Sequence, residues 1–122
     1  MNSSRALLTA GVLLALATAC GAFGAHALKA HLAPERLQLW ETAVRYQFLQ
    51  SLGLLGVGLA MRTTDGWLLH VAAALIALGV VLFSGSLYLL ALGGPRAFGV
   101  LTPLGGLAWI GGWLLFAWAV WR

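Results

Sequence analysis

Charge is what this chain has least of. Of its 122 residues only 8% are Asp, Glu, Lys or Arg, three acids against seven bases. A soluble domain draws about a quarter of its residues from the charged set, so the deficit excludes an ordinary soluble fold. Cysteine is nearly absent: Cys20 alone makes neither an intrachain disulfide nor a zinc site. Proline occurs only at 34, 95 and 103, which leaves long stretches free to run as unbroken helix. The bases are scattered, with no run that follows a phosphate backbone, and this argues against nucleic acid as a partner. Paired aspartates, metal-ligand spacings, a Gly-x-Ser-x-Gly elbow and a phosphate loop are missing too. No enzyme activity, cofactor or metal is therefore expected.

What is there is apolar. Hydrophobic residues make up 61% of the chain, and the mean hydropathy is +0.94. A helix of about 20 residues crosses a hydrocarbon core of about 30 Å, and this sequence has room for four. The expected fold is all-α, an integral-membrane four-helix bundle with up-down-up-down topology. Residues 1–122 form a single membrane domain with spans near 6–28, 37–61, 67–92 and 98–121. A β-barrel is excluded because runs this long show no alternation.

The boundaries follow from local signals. Ala6 to Leu28 carries no charge, and a polar connection, Lys29 to Pro34, leads into a helix from Pro34 to Met61 whose first turn suits proline. Its first half holds Glu35, Arg36, Gln38, Glu41, Arg45, Gln47 and Gln50, and its second half is apolar. After the turn Arg62 to Gly66, Thr64 or Asp65 is placed to cap a third helix, Trp67 to Leu92, which Gly93-Gly94-Pro95 ends. The fourth lies within Phe98 to Trp121, kinked or started by Pro103, with Thr102 as its cap. Residues 1–20 also look like a lipoprotein signal ending at Cys20, but the apolar run continues through Ala27, as a span does.

Sixteen glycines concentrate inside the spans, where close backbone contact is a main source of helix association. Gly11, Ala15, Thr18, Ala22 and Ala25 form a small-residue stripe on the first helix. Gly56 and Ala60 pair on the second, and Ala108 and Gly112 on the fourth. These stripes are expected to pack within the bundle, with contact between copies as the alternative, and a homo-oligomer is expected. Trp40, Trp67, Trp118 and Trp121 fall near helix ends, where an amphipathic ring suits the interface. Basic residues divide almost evenly between the two sides. Discounting Arg36 and Arg45 for their neighbours Glu35 and Glu41 puts both termini in the cytoplasm.

Threading the four spans alternately brings His26, the segment Glu41, Arg45 and Tyr46, then Ser84, Ser86 and Tyr88, and finally Thr102 into one leaflet. Arg45 lies about 25 Å from Arg62 along the second helix, a few ångströms below the opposite interface, with Glu41 one turn higher. At that depth an unpaired charge costs several kcal/mol, so Glu41 and Arg45, at i and i+4, are expected to pair. His26, Glu41, Arg45 and Tyr88 are expected to line a polar pocket open to one side. Deeper, Gln47, Gln50 and Ser51 make the second helix polar nearly all round, which calls for protein rather than lipid about it. The candidate binding set is His26, Glu41, Arg45, Tyr46, Gln50, Ser84, Ser86, Tyr88 and Thr102.

Several motifs carry a resemblance: Gly21-Ala22-Phe23-Gly24-Ala25-His26-Ala27-Leu28, Tyr46-Gln47, Phe83-Ser84-Gly85-Ser86-Leu87-Tyr88, Thr102-Pro103-Leu104-Gly105-Gly106 and Gly112-Trp113. In these and their order the chain resembles the YgdD-like family of small bacterial membrane proteins, the domain of unknown function 423. The resemblance implies four transmembrane helices in the bacterial inner membrane and no established activity. The family usually has a histidine where this chain has Gln50, so hydrogen bonding, rather than proton or metal handling, is implied there. The expected function is binding of lipid headgroups or a partner protein by a small oligomeric membrane protein. The alternative is a minimal transporter or channel formed by oligomerisation. Intact mass spectrometry is expected to show residues 1–19 retained; a mature mass beginning at Cys20 would turn the first span into a lipid anchor.

Overall fold

Asn2 starts the first helix: its side-chain oxygen accepts the Arg5 amide at 2.8 Å. The computed structural model, covering residues 1–122, is helical throughout, with α1 at Ser3–His26, α2 at Pro34–Ala60, α3 at Trp67–Ala91 and α4 at Leu101–Trp121. Short 3-10 turns at Leu28–Ala30 and Arg96–Val100 precede α2 and α4. Neither expected side-chain cap is used. Gly66, at φ +148°, forms the α3 N-cap in a conformation that excludes Thr64 and Asp65 from the role. Thr102 lies inside the first turn of α4, where its hydroxyl turns to another helix. Gly93, at φ +93°, ends α3 as the sequence suggests, and the Gly94 amide returns to the Leu89 carbonyl at 2.7 Å.

α2 and α3 form the middle of the molecule; α1 packs along α2, and α4 along α3. Successive contacts run in opposite senses on neighbouring helices. Ser3 donates to the Gly58 carbonyl, Gln47 to Leu13 and Trp40 to Cys20, so α1 climbs as α2 descends. Between α3 and α4, Trp109 donates to Ile76 while Ser86 bonds Thr102. The main core is drawn from all four helices: Ala6 and Ala10, Leu54 and Val57, Leu69, Ala73, Ile76 and Val80, and Trp109.

Three tryptophans lock these pairs in the same way. Each indole lies on bare backbone at a glycine of another helix and donates its N–H to an acceptor three or four residues before that glycine. Trp40 covers Gly24 and bonds the Cys20 carbonyl at 2.9 Å; Trp109 covers Gly79 and bonds the Ile76 carbonyl at 3.1 Å. Trp113 covers Gly53 and bonds Gln50 Oε1 at 2.8 Å. A methyl group at any of the three glycines would collide with the ring. Gly105 adds a fourth close approach, where a Cβ would stand 2.5 Å from the Phe83 amide nitrogen. Trp40 is thus not the interfacial ring that its position suggests: it is 6% exposed, against 84% for Trp121 and 68% for Trp67.

The expected packing stripe of α1 is also displaced. Gly11, Ala15, Thr18, Ala22 and Ala25 all face outward, while Ala6, Ala10, Ala17 and Gly24 form the buried face. Gly56 is likewise open, whereas Gly112 packs closely on Ala72 and Ile76 as expected. Small residues occur on both faces of α1, so composition alone does not choose the packed one.

α1, α3 and α4 are long and apolar enough to cross a membrane. α2 has the length, at 27 residues, but the charges and amides of its first half keep it from meeting the same measure. Leu8, Phe23, Val81, Leu107 and Leu114, each more than half exposed, belong to an apolar surface far larger than a water-soluble monomer presents. Gly79→Ala is expected to destabilise the protein by about 1–3 kcal/mol through overpacking against Trp109. Gly56→Ala, with open space around it, should stay within about 0.5 kcal/mol of the parent. Thermal or denaturant unfolding in detergent checks both.

Candidate functional site

α2 divides its polar residues between two environments. The interior set faces α1, α3 and α4. Gln47, only 4% exposed, donates Nε2–H to the Leu13 carbonyl at 2.8 Å and accepts the Tyr88 hydroxyl on Oε1 at 2.6 Å. One amide therefore ties three helices, and its two bonds fix which end is oxygen. Ser84 donates to the Ala43 carbonyl at 2.8 Å, bracing α3 on α2. The Ser86 and Thr102 hydroxyls meet at 2.5 Å between α3 and α4. Gln50 accepts from Trp113, and Tyr46 stacks at 5.8 Å on Trp109 and lies 4.9 Å from Phe83. Ser51 Oγ, in a fully buried residue, has no hydrogen-bond partner.

The exterior set is Glu41 and Arg45. Both are exposed, and both line a cleft of about 230 Å³ between α1 and α2. Trp40 and Val44 complete the α2 wall. The opposite wall is Gly21, Gly24 and Ala25, with no side chain larger than a methyl group. His26 is exposed in the last turn of α1, next to cleft-lining Ala25. The expected ion pair is not made: no basic nitrogen approaches a carboxylate oxygen within 4.0 Å. Both side chains are exposed on the surface of the bundle and stand apart.

The single pocket expected from the sequence is therefore two places. Glu41 and Arg45 line the α1–α2 cleft and His26 does not, whereas Tyr88 stands on the far side of Trp40, its ring 4.6 Å from the indole. Tyr88 instead borders a second cleft, about 330 Å³, between α1 and α3 with Cys20, Gln47 and Ser84. Tyr46, Gln50, Ser84, Ser86 and Thr102 are spent on helix-to-helix contacts. The candidate binding set omitted Gln47, the most connected amide, and Trp40 with Gly24, which separate the two clefts. The polarity of Gln47 was visible, but nothing in the sequence matched a tryptophan on α2 to a glycine on α1.

Helices with an apolar exterior, amides turned inward and one charged cleft near the end of the pair α1–α2 define a small helical membrane protein. The chain belongs to the family described as Protein of unknown function (DUF423), which matches residues 20–106. It is 48% identical over 101 residues to the UPF0382 membrane protein SH2409 of Staphylococcus haemolyticus, covering 78% of this chain and 77% of that one. It is 41% identical to YwdK of Bacillus subtilis, with 82% of each chain covered. To the UPF0382 inner membrane protein YgdD of Escherichia coli K12 it is 36% identical, across 94% of this chain and 88% of the relative. No solved structure matches. The localisation is accordingly the bacterial inner membrane.

Tyr88→Phe removes a donor and leaves the buried Gln47 oxygen short of a partner, at an expected cost of about 1 kcal/mol. In a double-mutant cycle with Gln47→Leu, unfolding in detergent should return a coupling of about 0.6 kcal/mol, the average for hydrogen bonds between membrane helices, and no more than about 1.7.

Proposed function

We propose that all four helices cross the bilayer, up-down-up-down, and that the α1–α2 cleft binds a phospholipid headgroup at one interface. The observation that carries this reading is the pair of unpaired, exposed, opposite charges on one wall of the cleft, facing a wall of glycine and alanine. Arg45 lies about 25 Å along the helix from Arg62, which sets its guanidinium just inside the level of lipid phosphates when Arg62 rests at the other interface. Arginine presents several N–H donors in a plane, a geometry suited to phosphate oxygens. The apolar exterior of α1 beside the cleft offers the acyl chains a continuous surface.

The opposing senses of the helix contacts support four passes. The amides of α2 do not oppose them, because Gln47 and Gln50 are bonded within the protein rather than turned to lipid. The outward stripe Gly11, Ala15, Thr18, Ala22 and Ala25 suits contact between copies in a homo-oligomer. In this reading the protein is a lipid-binding membrane component rather than an enzyme.

Two measurements test the proposal. In a Cys20→Ser background, single cysteines at positions 31 and 96 are expected to label from one side of the membrane and one at position 64 from the other. Native mass spectrometry of the purified protein should show bound phospholipid that Arg45→Gln weakens by about tenfold, or about 1.4 kcal/mol. Lipid retention that Arg45→Gln leaves unchanged would overturn headgroup binding, and proton or solute flux in liposomes would replace it with transport.

A further inference from the structure

The order of the two charges along α2 points to the kind of headgroup, an inference that rests on the headgroup-binding reading above. Arg45 is the deeper group; Glu41 stands one turn, about 6 Å, nearer the water. Both line the same cleft and neither neutralises the other. A headgroup that is only anionic would satisfy Arg45 and bring its negative charge close to the Glu41 carboxylate, which would gain nothing and repel it. A zwitterionic headgroup differs in its direction. Its phosphate is joined to the glycerol, deep in the interface, and its amine extends outward on a two-carbon arm. The charges of such a lipid therefore run in the same order as those of the helix, phosphate beside Arg45 and ammonium beside Glu41.

The remaining walls favour the same ligand. Trp40, 6% exposed and with its N–H already committed to the Cys20 carbonyl, adds an apolar edge to the cleft and no donor that would compete for the phosphate. Trp40 and Val44 close on Gly24 and Gly21, and the exposed Ala25 methyl leaves the mouth of the cleft beside the charges free of large side chains, which suits a small headgroup. A carboxylate accepts N–H bonds, which a primary ammonium supplies and a trimethylammonium lacks. We infer that the α1–α2 cleft selects a phosphoethanolamine headgroup, with Arg45 on the phosphate and Glu41 on the ammonium.

The test uses the full-length protein in nanodiscs or mild detergent with phospholipids of identical acyl chains bearing ethanolamine, glycerol or choline headgroups, read by native mass spectrometry. The ethanolamine lipid is expected to be retained over the glycerol lipid by about tenfold. Glu41→Gln should abolish that preference while a phospholipid is still held, and Arg45→Gln should weaken all three. Both side chains are exposed, so folding is expected to survive either change, and circular dichroism with a melting curve verifies it. Equal retention of the ethanolamine and glycerol lipids, unchanged in Glu41→Gln, overturns the selectivity and leaves headgroup binding standing. Choline lipid held as well as ethanolamine lipid overturns the role of the ammonium N–H. If no lipid is retained above the level of Arg45→Gln, the underlying reading fails instead.

Discussion

Within lipid, helices gain little by hiding apolar side chains from one another, because the acyl chains are as apolar as leucine. What remains is close contact and hydrogen bonds that the hydrocarbon does not supply. In this protein one device supplies both at three places, an indole laid across a glycine with its N–H delivered to an acceptor on the glycine's helix. Trp40 on Gly24 joins α2 to α1, Trp109 on Gly79 joins α4 to α3, and Trp113 on Gly53 joins α4 to α2. The large ring provides dispersion contacts over bare backbone, and the bond resists sliding along the helix axis. Because each tryptophan is matched to one glycine, the device also sets register.

That register decides where polarity goes. With Trp40 seated on Gly24, Gln47 faces Leu13 and Tyr88, and the first half of α2 has one side bonded to other helices and one side whose charges have no partner in the chain. Gln47 and Gln50 are held by other helices, as buried polar groups usually are, and the Ser51 hydroxyl is the exception. The outward charges are left to meet something outside the chain. The bonded amide and the exposed charge are thus separated by the helix periodicity alone: Gln47 lies two residues past Arg45, about 200° around the axis.

Some of this was legible in the sequence and some was not. The helix ends were close to expectation because proline at 34 and the left-handed Gly93 act locally. Protein was expected around the polar segment 47–51, and Gln47 and Ser51 are buried in it, whereas Gln50 is half-buried and Leu49 faces outward. The α1 stripe went the other way. Alanine and glycine occur around much of that helix, and the seam is chosen by where Trp40 and Leu7 find space on it and on α2, not by the count of small residues on a face. The Glu41–Arg45 pair was inferred from spacing, yet both side chains line an open cleft without meeting each other.

What the residues by themselves determined was solvent and length: too little charge for water, runs long enough for a bilayer, and stops where the backbone cannot continue. These are additive, local properties, and any arrangement of the helices preserves them. Only the tertiary structure decided which glycine receives which tryptophan. With that choice it decided that Tyr88 belongs to the interior and Glu41 and Arg45 to an open cleft. That choice depends on the complementarity of surfaces far apart in the chain, and no helix carries it alone.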